Sequence, residues 1–121
     1  RGFLQAAQTI AASGVRPYSI AGADGWTLTD LFENVYLRTA GPELYDQLAS
    51  HEIPWTHPSV VEALERMQVV IGNPQLIAGG AGGALQTDFP RSVTQVFSDP
   101  PDAAMVFEGD FVPGNIANET N

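Results

Sequence analysis

Two short stretches carry residues whose types could do chemistry together. Asp24-Gly25-Trp26 and Glu108-Gly109-Asp110-Phe111 each combine a carboxylate, a glycine and an aromatic ring. A carboxylate accepts hydrogen bonds from vicinal hydroxyls, and an aromatic face packs on the apolar face of a sugar ring. Glycine lets a ligand come close to the backbone. No Arg lies in either stretch, so the pair suits a neutral polyol or sugar better than an anion. The competing reading puts Trp26 and Phe111 in the core and the acids in turns.

Other chemistries find less support. The glycines of Gly79-Gly80-Ala81-Gly82-Gly83 suggest a phosphate cradle, but no Gly-Lys-Ser/Thr follows and no strand leads directly in, so a Gly-rich loop is the simpler reading. His51, Glu52 and His57 straddle a linker and share no helical face, so they do not form a metal pair. No Gly-x-Ser-x-Gly marks a nucleophile. Asp24, Asp30, Glu33, Glu108 and Asp110 are numerous enough for an acid and a base on a glycosidic bond, although spacing in sequence does not give their separation in space.

The elements that would hold the two stretches read as follows. Phe3 to Ser13 forms a helix with Phe3, Ala7, Ile10 and Ala11 on one face and Gly14 at its C′ position. Tyr18 to Ala21 is a strand, and Gly22 to Gly25 a loop. Leu28, Leu31, Phe32, Val35 and Tyr36 make the clearest helical stripe, with Thr27 or Thr29 as cap and Gly41-Pro42 as stop. A helix over Pro42 to Ala49 turns Leu44, Tyr45 and Leu48 inward. Ile53-Pro54-Trp55 is a linker in which Trp55 covers a helix junction, and Thr56-His57-Pro58 opens a helix through Val60, Val61, Leu64, Met67 and Ile71. Leu76 to Gln86 reads as a flexible loop, and Thr87 to Phe97 as a helix with Pro90 in its first turn. Ala103 to Phe107 is an apolar strand expected to be buried on both faces. Both carboxylate-aromatic stretches thus follow strands, where open α/β sheets place their ligand crevice. Two strands about eighty residues apart do not by themselves make a sheet, so the missing neighbours are expected outside the chain.

Composition bounds the rest. The chain has 121 residues, of which 44% are hydrophobic, enough for one domain-sized core. Five Arg, no Lys and fourteen acids give a net charge of −9, which argues against nucleic acid or an anionic membrane as partner. No apolar run is long enough to span a bilayer. The absence of Cys excludes disulfides, thiolate metal sites and a Cys nucleophile. The chain begins Arg-Gly-Phe with no signal-peptide pattern, which suggests a processed or partial chain. Asn118-Glu119-Thr120 matches a glycosylation sequon, read as coincidence.

A series of segments in order then points to a family. Pro17-Tyr-Ser-Ile-Ala-Gly-Ala-Asp-Gly-Trp26, Leu37-Arg-Thr-Ala-Gly41 and Ile53-Pro-Trp-Thr-His-Pro-Ser-Val-Val-Glu-Ala-Leu64 are followed by Ala84-Leu-Gln-Thr-Asp-Phe89 and Ala103-Ala-Met-Val-Phe-Glu-Gly-Asp-Phe111. Together they resemble the extracellular solute-binding proteins of carbohydrate ABC transporters. The match is to a middle segment of the second lobe.

The resemblance implies a helix-rich α/β chain, a partial lobe of a two-lobed periplasmic-binding-protein-like fold whose first lobe and hinge are absent. It implies sugar or oligosaccharide binding outside the membrane, delivery to permease subunits, a lipid anchor in the full-length protein, and neither catalysis nor a cofactor. Asp24, Trp26, Glu108, Gly109, Asp110 and Phe111 would face the cleft, with Phe111 standing where many members carry Trp. An isolated segment would be prone to self-association through open strand edges. The alternatives are a glycoside-processing domain using paired acids, or a helical interaction module.

Overall fold

The computed structural model describes residues 2–119, with side chains to residue 117. The third residue of the Asn118-Glu119-Thr120 sequon lies outside them. The elements run α1 Gly2–Ala12, β1 Arg16–Ser19, α2 Trp26–Ala40, α3 Pro42–Ala49, α4 Pro58–Ile71, α5 Gly80–Ala84, α6 Phe89–Phe97, β2 Ala103–Val106 and α7 Val112–Glu119. The chain is helix-rich, as anticipated, and carries a small sheet.

The apolar stripe of α2 does what its period demands. Phe32 and Tyr36 are buried with Leu48 of α3 and Val60, Ala63 and Met67 of α4, and these residues form the larger core. Tyr36 is wholly buried, and its hydroxyl shares a 2.9 Å hydrogen bond with Ser59 Oγ and reaches Leu44 O at 3.3 Å. Trp55 stays exposed and lays its ring against Phe32 at 5.5 Å, covering the junction as expected.

One helix start differs from the sequence reading. Gly25, at φ 77°, precedes α2 in place of a Thr cap, because Thr27 turns inward and donates its hydroxyl hydrogen bond to Ala21 O. Within Thr56-His57-Pro58 it is His57 that caps α4, accepting from Ser59 N on its side chain, with Pro58 opening the helix.

The strands differ more. β1 starts at Arg16, two residues before the expected Tyr18. It pairs directly with β2 in parallel, Arg16 opposite Ala103 and Tyr18 opposite Met105. The expectation that two strands so far apart would not by themselves make a sheet is therefore corrected, since they form a two-stranded one. The intervening helices bring them together, as a parallel crossover requires. Tyr18 also makes a parallel bridge to Ile77, through Tyr18 N donating to Leu76 O at 2.9 Å and Ala78 N donating to Tyr18 O at 2.8 Å. β1 therefore lies between its two partners.

Leu76, Ile77 and Ala78 are buried, so the expected flexible loop over 76–86 is replaced by a bridge followed by α5. The turn between them uses Gly79 and Gly80 at φ 71° and 65°, a conformation glycine adopts without strain. β2 is not buried on both faces. Ala103 is buried, Ala104 exposed, and Met105 and Val106 half-buried, and no strand covers its far edge among the described residues. α7 was not anticipated by the sequence reading.

Candidate functional site

Parallel pairing puts the ends of β1, β2 and the Ile77 bridge on one side, and three connections leave from there: residues 20–25, 78–88 and 107–111. Backbone hydrogen bonds tie the first two together. Gly22 N donates to Ala84 O at 2.8 Å, and Ala23 N donates to Thr87 O at 3.1 Å. A Cβ on Gly22 would lie 2.8 Å from Ala84 O, so only glycine permits this approach.

The start of α6 is then capped from two directions. Phe89 N donates to Asp24 Oδ2 at 2.6 Å, and Arg91 N donates to Asp88 Oδ1 at 2.9 Å. Ser92 N donates to Asp88 O at 3.0 Å, and Pro90 has no N–H. Each N–H from Phe89 to Ser92 is therefore satisfied, one of them by a carboxylate from another connection.

This arrangement gathers three rings. Trp26 lies 5.4 Å from Phe89 and 6.0 Å from Phe111, and Phe89 lies 5.3 Å from Phe111. The interplanar angles of 56°, 61° and 73° make tilted and edge-on contacts that bring the rings together without a sandwich. Trp26 is 41% and Phe111 46% exposed, so neither belongs to the core. Gly109 supports the cluster, since a Cβ there would come within 2.5 Å of the Phe111 ring.

The sequence-predicted residues are thus brought together only in part. Trp26, Gly109 and Phe111 share one cluster, and Asp24 joins it through Phe89. Asp110 is exposed beside it in the chain. Glu108 instead lines an open groove of about 330 Å³ with Asp30, Glu33, Asn34, Tyr45 and Phe107. Phe89 was missed as a site residue. The available signal was its place beside the capping Asp88 and just ahead of Pro90, where a helix begins at the strand-end side.

Glu108 Oε2 is closed to solvent and has no hydrogen-bond partner among the described residues. Burial, and secondarily the charge of Asp30, pushes its carboxyl up to about 7. The folded protein therefore holds a proton that the unfolded chain, with an ordinary value of 4.5, has released. Stability from this group is present below about 4.5 and falls as pH rises toward about 7. Because the side chain is only half-buried, solvent screening reduces the loss to on the order of 1 kcal/mol. Urea melts should show the protein gaining less on going from pH 5 to 7.5 than its Glu108→Gln variant does. Identical pH profiles for the two would contradict this environment.

No family model matches the chain. It is 40% identical over 90 residues to the osmoprotective compounds-binding protein GgtB of Synechocystis sp., a match covering 74% of the chain and 21% of that protein. It is 36% identical over 110 residues to the alpha-glucosides-binding periplasmic protein AglE of Rhizobium meliloti, covering 88% of the chain and 24% of that protein. Among solved structures, the bacterial solute receptor AcbH, described as having an exclusive preference for β-D-galactopyranose, superposes with a TM-score of 0.80 at 25% identity. That match covers 93% of this chain and 27% of AcbH. A chitin oligosaccharide binding protein shares the fold, with a TM-score of 0.81 at 23% identity over 98% of this chain. The chain spans about a quarter of the length of these proteins. These homologues are binding proteins.

Proposed function

Because the chain belongs, as one segment, to the solute-binding proteins of sugar ABC transporters, we propose that it carries half of a sugar-binding cleft in the second lobe of such a protein. The observation that carries this reading is the cluster of Trp26, Phe89 and Phe111 at the ends of parallel strands, with two rings nearly half exposed. Rings 5.3 to 6.0 Å apart touch one another and leave no space between them for a cation. They form a platform suited to the apolar face of a pyranose, not a cage around an ammonium group. Trp26 and Phe111 stack on the sugar. Asp110 and Glu108 accept hydrogen bonds from its hydroxyls, and Gly109 leaves the Phe111 ring its place. The opposing wall comes from a first lobe, closing about a hinge.

Two surface features support membership in a larger body. Among the described residues β2 offers an unpaired edge, and Leu64, Val69 and Leu85 are more than half exposed, at 51%, 53% and 63%. The isolated segment would self-associate through such surfaces. The intact protein would work outside the cytoplasm, held by a lipid anchor, and hand its sugar to permease subunits without chemical change.

One observation favours a second reading. Glu108, held up to about 7 beside Asp30, has the character of a general acid. Hydrolysis of aryl glycosides by the intact protein, lost on Glu108→Gln, would establish a glycoside-processing domain instead.

The primary test is calorimetric titration of the intact protein with mono- and oligosaccharides, with the 121-residue segment run alongside. Binding by the intact protein and not by the segment is the expected result. Equal binding by the segment would mean a self-contained site, and silence from the intact protein toward every sugar would end the proposal.

A further inference from the structure

We infer that Asp24 acts on the ligand indirectly, as a positioning residue for Phe89, and that Phe89 is the third wall of the sugar platform. This inference rests on the sugar-site reading above. The Asp24 carboxylate is the only acceptor for Phe89 N–H among the described residues, at 2.6 Å, across 65 positions of chain. An ionised acceptor makes this bond stronger than a neutral one would, and the negative charge also sits favourably at the start of α6.

The bond fixes where α6 begins. Phe89 is the first residue of that helix, so its ring direction follows from the position of its backbone. The ring packs at 5.4 Å on Trp26, which itself opens α2 two residues after Asp24. One carboxylate thus sets the distance between the first residues of two helices. Phe111 closes the triangle from the third connection, at 5.3 Å from Phe89. Without the Asp24 bond, α6 loses its cross-connection cap, and the nearest remaining ties of the 78–88 segment to the 20–25 connection are the backbone bonds from Gly22 and Ala23, at positions 84 and 87. Phe89 then leaves Trp26 without its neighbour, and the platform loses a ring and the orientation of another.

The test is a double-mutant cycle on sugar affinity in the intact protein, measured by calorimetry with the sugar that the wild type binds best. Phe89→Ala should weaken binding about tenfold and Asp24→Ala about fivefold. The double variant should bind no more weakly than Phe89→Ala alone, because a positioning residue has nothing left to position. Asp24→Asn keeps an acceptor for Phe89 N–H and should stay within about twofold of wild type. Independent multiplication of the two single losses would overturn the inference, since Asp24 would then be touching the sugar directly. An undiminished affinity in either alanine variant would overturn it equally. Wild-type protein that binds no sugar would bring down the underlying reading and this inference together, whereas wild-type binding with an additive cycle would remove only the inference.

Discussion

Replacing Trp26 by alanine in the intact protein should weaken sugar binding by about 1–3 kcal/mol, roughly a 5- to 150-fold rise in Kd. The indole is 41% exposed at the first position of α2, so it is placed to meet a ligand and contributes little to the core. Two effects add. The sugar loses a stacking face, and Phe89 and Phe111 lose the ring that each packs against. Trp26→Phe keeps a face in place and should cost less than the alanine change. Thermal stability should move little in either variant, which separates a binding loss from an unfolding loss. Calorimetric titration measures the affinity. An unchanged Kd for Trp26→Ala would remove Trp26 from the site, and the platform with it.

The largest stability effect is expected at Tyr36. Its side chain is fully buried where α2, α3 and α4 meet, stacked on Phe32 at 5.4 Å with an interplanar angle of 13°. Tyr36→Ala should destabilise by about 3–5 kcal/mol, the scale of emptying a buried aromatic site. A single domain of ordinary stability does not easily survive such a loss. Tyr36→Phe isolates the hydroxyl and should cost only about 1 kcal/mol. The reason is that Ser59 Oγ keeps a second partner, His57 Nδ1, at 2.8 Å, so it is not left unpaired. Urea unfolding of both variants checks the pair of values. A loss under about 1 kcal/mol for Tyr36→Ala would mean that the three-helix core is not where the stability resides.

Both effects depend on packing that local sequence signals anticipate unequally. The α2 stripe, the stop at Gly41-Pro42, the short α3 and the run of α4 are all legible in the residues. Each rests on interactions within four positions: helical periodicity, a ring that fixes φ, a glycine that ends a turn. The two carboxylate-aromatic stretches were legible as candidates for the same reason, since both follow short strands. The ordered segments from Pro17 to Phe111 also carried the family, which the relatives bear out.

What folding alone decided is who meets whom. Nothing near Tyr18 announces Ile77 and Met105 as its partners, because strand pairing is chosen by distant backbone donors and acceptors. The Gly-rich stretch read as loose because glycine permits freedom, yet buried Leu76, Ile77 and Ala78 hold its start. Asp24 looked like a ligand acceptor until the fold set Phe89 N–H against it. Phe89 carried only the local signal of a helix start, and its meeting with Trp26 and Phe111, 63 and 22 positions away in the chain, came from the fold. Glu108 received its raised pKa from burial and from Asp30, two conditions that exist only once the 107–111 connection lies beside α2. Helices are written in short-range periodicity. A site built from three strand ends is written in contacts between residues far apart in the chain, and those arise only when the whole segment packs.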